Sequence, residues 1–162
     1  MCTNTSLNRY FHTQVGQDVR NGLAACYLCI DTTDDSIAGF YTLSAASIPR
    51  ERLTEEETAK VGYYPNMPAF LIGRLASASR YKGQGCRIGE ALLIDALLRS
   101  LDEMQNIGAL GVLVDAIDDE ARRFYEKYGF RVAEESPLRL FYPMKKIKKV
   151  REKISQPSPT AS

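Results

Sequence analysis

The sequence predicts a mixed α+β sandwich, a central mixed sheet flanked by helices, and three observations carry that prediction. The predicted elements run α, β, β, α, β, α, β, α, β, β along the chain. A strand, a glycine-containing loop and a long helix follow one another in its middle, an order suited to a nucleotide cofactor. A separate hairpin toward each end argues for mixed α+β rather than a doubly wound sheet.

Thr5 or Ser6 can cap a first helix, in which Leu7, Tyr10, Phe11, Val15 and Val19 recur at helical spacing, and Asn21-Gly22 stops it. Ala24 to Ile30 reads as a strand, Asp31 to Ser36 as a polar turn, and Ile37 to Ser47 as the returning strand of a hairpin. Thr54-x-x-Glu57 is a capping-box pattern that opens a short helix through about Lys60. Pro65 and Pro68 interrupt the chain before a third strand, Ala69 to Ser77. The loop Arg80-Tyr81-Lys82-Gly83-Gln84-Gly85-Cys86-Arg87-Ile88-Gly89 then leads into an amphipathic helix through Ala91, Leu92, Leu93, Ala96, Leu97 and Leu101 to about Gln105. Leu110 to Val114 is a buried-type strand. Asp118 is placed to cap the next helix and Gly129 to end it. Phe130 to Val132 and Leu138 to Tyr142 form a last strand pair. No internal repeat is visible. Residues 1–144 read as one domain and residues 145–162 as a basic tail expected to be disordered, with Pro157 and Pro159 near its end.

Composition agrees with a single core: 162 residues, 44% of them hydrophobic. No apolar run reaches membrane-spanning length and no secretory leader is present, so the cytoplasm is the expected location and a membrane partner is not expected. Cys26 and Cys29 are three apart in a strand, which sends them to opposite faces, so they read as buried free thiols rather than a metal pair. The single histidine, His12, excludes a His-rich metal centre and a Ser-His triad. No metal is expected. The formal net charge is +1. Lys145, Lys146, Lys148, Lys149, Arg151 and Lys153 against Glu152 make a local +5, which leaves −4 for the rest. Such a segment can touch nucleic acid, and a solvated, solubilising end is an equal alternative.

Two segments carry chemistry. Arg80-x-x-Gly83-x-Gly85 follows a strand and opens a helix. Glycines there let backbone N–H groups converge on a phosphate, and the helix adds the positive end of its dipole. No Gly-Lys-Ser/Thr follows, so it is not a Walker loop. Downstream, Asp115 to Phe130 reads as strand end, turn, short helix, glycine stop and next strand, with Phe124-Tyr125 followed by Gly129-Phe130. A phenol with a pKa near about 10 is protonated at pH 7 and can give its proton to a departing thiolate.

These two motifs resemble those of GNAT-type N-acetyltransferases. Gly39-Phe40-Tyr41-Thr42-Leu43-Ser44-Ala45, Ser47-Ile48-Pro49, Gly73-Arg74-Leu75-Ala76, Leu92-Leu93-Ile94-Asp95-Ala96-Leu97, Val114-Asp115-Ala116 and Leu140-Phe141-Tyr142-Pro143-Met144 extend the likeness, in order, over roughly residues 6–150. Together they look like the GNAT toxins of bacterial toxin–antitoxin pairs. The resemblance implies acetyl-CoA as co-substrate and acetylation of the α-amino group of aminoacyl-tRNA, which stops translation. It also implies a small ribbon-helix-helix antitoxin as partner, with a homodimer open.

It further implies roles for single residues. Tyr125 would protonate the coenzyme A sulfur. Leu75, Ala76, Arg80, Lys82, Gly83, Gln84, Gly85, Gly89 and Phe124 would hold the cofactor, with a backbone N–H of the Leu75–Ala76 strand facing the thioester oxygen. Arg74, Arg87, Arg122 and Arg123 would meet the tRNA, with Arg80, Arg20 and Lys82 as further cations. Tyr128, three residues beyond Tyr125, is expected to be the packing aromatic. No carboxylate stands out as general base. Two departures from the family pattern are visible. A strand usually precedes the first helix, and here that edge strand is expected to be missing. The loop also allows two registers, Gly83/Gly85 at the phosphates, which is preferred, or Gly85/Gly89 with Arg87 where glycine is usual. Two other functions stay open: an acetyltransferase of protein N-termini or small amines, and a non-catalytic antitoxin-binding partner.

Overall fold

Helix α1, Val15–Arg20, ends where its sequence predicts: Gly22 takes φ +69° and the Asn21 N–H donates to the Gln17 carbonyl at 2.9 Å. The computed structural model describes residues 9, 12–59, 61–83, 85, 87–133 and 137–156. The expected caps Thr5 and Ser6, the expected missing edge strand, Tyr10, Phe11 and Lys60 lie outside the described residues.

Strand β1, Ala25–Asp31, pairs antiparallel with β2, Ser36–Pro49, from Ala25 opposite Leu43 to Asp31 opposite Ser36. Aspartates close the turn between them: Asp31 Oδ1 accepts from the Thr33 N–H at 2.9 Å and Asp34 Oδ1 from the Ser36 N–H at 3.1 Å. Cys26 and Cys29 are free and half-buried, less deeply placed than expected, because β1 is the edge strand. Ala38 through Leu43 are all buried, so this part of β2 is covered on both faces. Helix α2, Glu55–Thr58, has the predicted capping box, with the Glu57 N–H on Thr54 Oγ1 at 3.2 Å and the Thr54 N–H on Glu57 Oε2 at 2.8 Å.

Strand β3, Asn66–Ser77, begins three residues before the predicted Ala69 and runs through Pro68. A proline cannot donate, but its carbonyl accepts from the Leu110 N–H at 2.9 Å, so the ladder on that side is kept. Helix α3, Ile88–Glu103, buries Leu92, Leu93, Ala96, Leu97, Ser100 and Leu101 on one face. Strand β4, Gly111–Asp115, has Val112, Leu113 and Val114 fully buried. Helix α4, Asp119–Lys127, and the short strand β5, Arg131–Val132, follow. Strand β6, Arg139–Pro143, pairs antiparallel with both β4 and β5. The sheet has six strands in the order β1-β2-β3-β4-β6-β5, with helices in the connections, the α+β class expected from the sequence.

The tail expectation is corrected over residues 145–155. Met144–Ser155 is a helix, α5, packed against β4 and β6. Met144 and Ile147, three apart and therefore on one helical face, are buried, and Arg151 Nη2 donates to Asp102 Oδ1 at 2.7 Å and to the Leu98 carbonyl at 3.2 Å. That apolar face offsets the crowding of lysines that made the segment read as unfolded. Residues 157–162 lie outside the described residues.

The chain divides into two compact units. The first comprises Met1–Ala46 and Phe70–Ala96, with a core that includes Phe40, Tyr41, Leu43, Phe70, Ile72, Leu92 and Leu93. The second comprises Ser47–Ala69 and Leu97–Ser162, with Ile48, Met67, Leu97, Leu113, Phe130, Leu140, Phe141 and Ile147 in its core. Helix α5 belongs to the second of these units.

Candidate active site

In the first unit, β3 passes through a 3-10 turn, Ser79–Tyr81, into the glycine loop and then α3. Gly83 and Gly85 take φ +78° and +72°, the left-handed region that side chains resist, although a Cβ at either would meet no atom within 4 Å. These glycines are set by backbone conformation, not by crowding. Gly89 lies inside the first turn of α3, so the left-handed pair is Gly83/Gly85. The loop therefore ends at the N-terminus of a 16-residue helix, where free N–H groups and the dipole favour an anion. Gln84 and Cys86 lie outside the described residues. Lys82 is exposed beside Gly83, and Arg87 is 82% exposed, paired with Glu90 at 3.3 Å.

Arg80 is engaged by the turn between β1 and β2. Its guanidinium donates to Asp34 Oδ2 at 2.9 Å and Oδ1 at 3.2 Å, reaches Asp31 Oδ2 at 3.5 Å, and contacts Ser36 Oγ and the Tyr81 hydroxyl, which also meets Asp31. Hydrogen bonding from Arg80 holds the Asp34 carboxyl far below the usual carboxylate range. Asp31 is lowered as well, first by the Thr33 hydroxyl and then by Tyr81. The side chain of Arg80 thus ties the loop to the hairpin, and its charge is compensated there. The acidic turn Asp31–Asp34 was missed as part of the loop's support. Its run of acids is visible in the sequence, but not that it closes on a residue 46 positions away.

Leu75 is half-buried and Ala76 buried near the end of β3. The strand runs tight against β2 here: a Cβ on Gly39 would stand 2.7 Å from the Ala76 carbonyl oxygen and 2.7 Å from Leu92 Cδ1. Two positions earlier the Arg74 N–H donates to Thr42 Oγ1 at 3.0 Å, which satisfies the buried Thr42. The Arg74 side chain is exposed, with Nη1 on the Gly73 carbonyl at 2.8 Å. Beside it lies a hollow of about 210 Å³ lined by Asp18, Leu23, Ala24, Thr42, Ser44, Gly73 and Arg74. Of these only Arg74 was expected as a site residue.

The second unit holds Tyr125. Asp118 Oδ1 accepts from the Ala121 N–H at 2.8 Å and starts α4 as predicted. The Gly129 and Phe130 N–H groups fold back onto the Glu126 and Tyr125 carbonyls at 3.0 and 3.2 Å, with Gly129 at φ +100°. Tyr125 is 6% exposed, its ring 5.3 Å from Phe124 and 5.4 Å from Phe130. Tyr128, expected to be the packing aromatic, is only half-buried against Phe124 at 5.1 Å, so Tyr125 is the more deeply packed of the two. Burial pushes the Tyr125 phenol well above its ordinary value of about 10. Among the described residues no group hydrogen-bonds its hydroxyl. The phenol is protonated at neutral pH and held in place by its ring.

Arg122 lies between Asp119 at 3.7 Å and Glu126 at 4.0 Å, its buried Nε facing Glu126 without a hydrogen bond, while Arg123 is exposed with Nε on the Asp119 carbonyl at 3.2 Å. The expected residues thus fall into two groups. Arg74, Leu75, Ala76, Arg80, Lys82, Gly83, Gly85, Arg87 and Gly89 belong to the first unit, and Arg122, Arg123, Phe124 and Tyr125 to the second. No cluster of metal-ligating side chains occurs among the described residues.

No protein-family model matches the chain. A tRNA-acetylating toxin of Mycobacterium tuberculosis is 30% identical over 141 residues, covering 86% of this chain and 81% of that protein. The probable toxin TacT of Sinorhizobium fredii is 31% identical over 129 residues, covering 75% of this chain and 70% of its own. Among solved structures, AtaT complexed with acetyl-methionyl-tRNAfMet superposes with a TM-score of 0.83 at 28% identity, over 93% of this chain and 89% of that one. AtaTR bound with acetyl-CoA gives 0.79 at 28% identity, over 93% and 88%. A tyrosine-to-phenylalanine variant of AtaT bound to the C-terminus of the antitoxin AtaR gives 0.78 at 26% identity, over 96% and 88%.

Proposed function

The chain belongs to the family of tRNA-acetylating GNAT toxins, and from that premise we propose that it transfers the acetyl group of acetyl-CoA to the α-amino group of an aminoacyl-tRNA and so stops translation. The observation that carries the proposal is Tyr125, a buried phenol whose hydroxyl no described residue occupies, on a helix capped by Asp118 and stopped at Gly129. The neutral amine attacks the thioester carbonyl carbon. A C–N bond forms, the C–S bond breaks, and Tyr125 gives its proton to the leaving sulfur. The nitrogen releases its extra proton to water, and water returns a proton to the Tyr125 oxygen.

The diphosphate of acetyl-CoA is held by the N–H groups of the Lys82–Gly85 loop and the N-terminus of α3. Arg80 acts as a positioning residue, because Asp31 and Asp34 already compensate its charge. The Leu75–Ala76 backbone faces the thioester, and Phe124 supports the ring of Tyr125. Gly89, as a helical residue, shapes the helix start. Arg74, Arg87, Arg122 and Arg123 offer cations to the acceptor end, and the hollow between Asp18 and Arg74 is of a size for an aminoacyl group. A small antitoxin is the protein partner, as AtaR is for AtaT. No described helix is long and apolar enough to cross a membrane, and the cytoplasm, where charged tRNA and acetyl-CoA meet, is the place of action.

Labelled acetyl-CoA incubated with charged tRNA, uncharged tRNA and free amino acid tests the proposal. Label in charged tRNA alone is expected. Equal label in free amino acids, or none in tRNA charged with any amino-acid class, overturns it in favour of a small-amine or protein acetyltransferase.

A further inference from the structure

Helix α5 carries a charge pattern that its own fold does not use. Met144 and Ile147 bury one face, and Arg151 is spent on Asp102 and the Leu98 carbonyl. Lys145, Lys149 and Lys153 stand at i, i+4 and i+8 and therefore form one column on the other side, with Lys146 beside it and Lys148 on a flank. All five are exposed, and among the described residues none of them has an acidic partner within salt-bridge distance. Lys146 Nζ lies 5.8 Å from the centre of the Tyr142 ring. Glu152 is the only acid of the helix. Like charges at this spacing weaken a helix, so nothing in the folding of α5 explains the column.

The column is about 12 Å long at 1.5 Å per residue and is rigid, because its opposite face is in the core. A rigid row of cations suits a polyanion with regularly spaced charges. The rest of the chain has a formal charge of −4, so attraction of such a partner has to be local.

We propose that the lysine face of α5 is a docking surface for the phosphate backbone of the tRNA substrate. This rests on the tRNA-acetylating reading above. It makes the basic segment a fixed clamp on the second unit, the unit that also holds Tyr125.

The test is the triple variant Lys145→Glu, Lys149→Glu and Lys153→Glu, with the Lys→Gln triple as a milder form and circular dichroism to establish folding. Two quantities are read: fluorescence anisotropy of full-length tRNA across a salt series, and acetylation kinetics with full-length charged tRNA and with a short 3′-aminoacylated oligonucleotide. The expected result is a KM for charged tRNA raised by about tenfold or more and a salt slope shallower by about two, as roughly three phosphate contacts are lost. The Lys→Gln triple shifts both in the same direction by less. The kcat at saturating tRNA, the KM for acetyl-CoA and turnover of the short acceptor are unchanged. Unchanged KM and salt slope in folded variants overturn the proposal. So does loss of duplex DNA binding, measured with antitoxin present, when tRNA binding is intact, which would give the face to an operator instead. If the wild-type protein acetylates no charged tRNA, the functional reading fails, while the anisotropy measurement still decides whether this face holds RNA.

Discussion

Replacing Tyr125 by phenylalanine separates folding from chemistry more sharply than any other single change in this chain. The substitution removes one oxygen. No described residue hydrogen-bonds that oxygen, and the ring contacts, 5.3 Å to Phe124 and 5.4 Å to Phe130, are kept. Stability should stay within about 0.5 kcal/mol of wild type. At a shift of about 2–4 °C per kcal/mol for a chain of this size, the melting temperature moves by no more than about 2 °C. Loss of a general acid lowers the rate by about 10²–10⁴-fold, which is about 2.7–5.4 kcal/mol of transition-state stabilisation at 1.36 kcal/mol per decade. Single-turnover transfer from acetyl-CoA to charged tRNA, run beside thermal unfolding and calorimetry with acetyl-CoA, reads all three quantities. Expression of the variant should relieve growth arrest. A folded variant that binds acetyl-CoA and loses less than about tenfold in rate would refute the assignment of Tyr125 as proton donor.

Three further outcomes are expected. Burial raises the Tyr125 pKa in the folded state, so its contribution to stability is complete below the ordinary value of about 10 and is lost as pH rises beyond it; wild type should destabilise above about pH 10 more steeply than Tyr125→Phe, with Tyr142, also raised by burial, leaving a residual slope in both. Gly83→Asp places a side chain at φ +78° and a negative charge beside the expected phosphates, and calorimetry should find acetyl-CoA binding abolished while the protein remains folded. Arg80→Ala and Asp34→Ala should each raise the KM for acetyl-CoA with little change in kcat, and the double variant should be no worse than Arg80→Ala alone, which already breaks the Asp34 contact; additive effects would show that Arg80 acts on the cofactor directly.

Much of the fold could be read locally because local signals agreed. Thr54/Glu57 and Asp118 are capping residues whose oxygens bond where the spacing says they should. Gly22, Gly83, Gly85 and Gly129 all take positive φ at predicted breaks. Ala38–Leu43 and Val112–Val114 are apolar runs that end up covered on both faces. The misreadings have physical causes. Pro68 looks like a breaker only until its carbonyl finds the Leu110 N–H. The lysines of α5 hide an apolar edge at Met144 and Ile147 that has helical spacing. Contacts between distant positions leave no mark in a single sequence: Arg80 with Asp34, the Tyr41 hydroxyl on Asp95 at 2.6 Å, and Arg131 Nε on Glu57 at 3.1 Å are all of this kind. The same blindness made Tyr128 look like the packing ring, when the depth of Tyr125 is set by Phe130 and its neighbours across the sheet.

The position of β6 and α5 in the chain has a consequence for biosynthesis. Leu140, Phe141, Tyr142, Met144 and Ile147 come after Tyr125 in the sequence, yet they fill the core of the unit in which Tyr125 sits. A growing polypeptide emerges from its N-terminus onward, and a domain folds as its parts become available. While those five residues are still inside the ribosome, Tyr125 is already made but lacks the sheet that holds its surroundings in place. The surroundings of Tyr125 are thus completed only once the last strand and helix of its unit have emerged. That delay is written into the order of the strands.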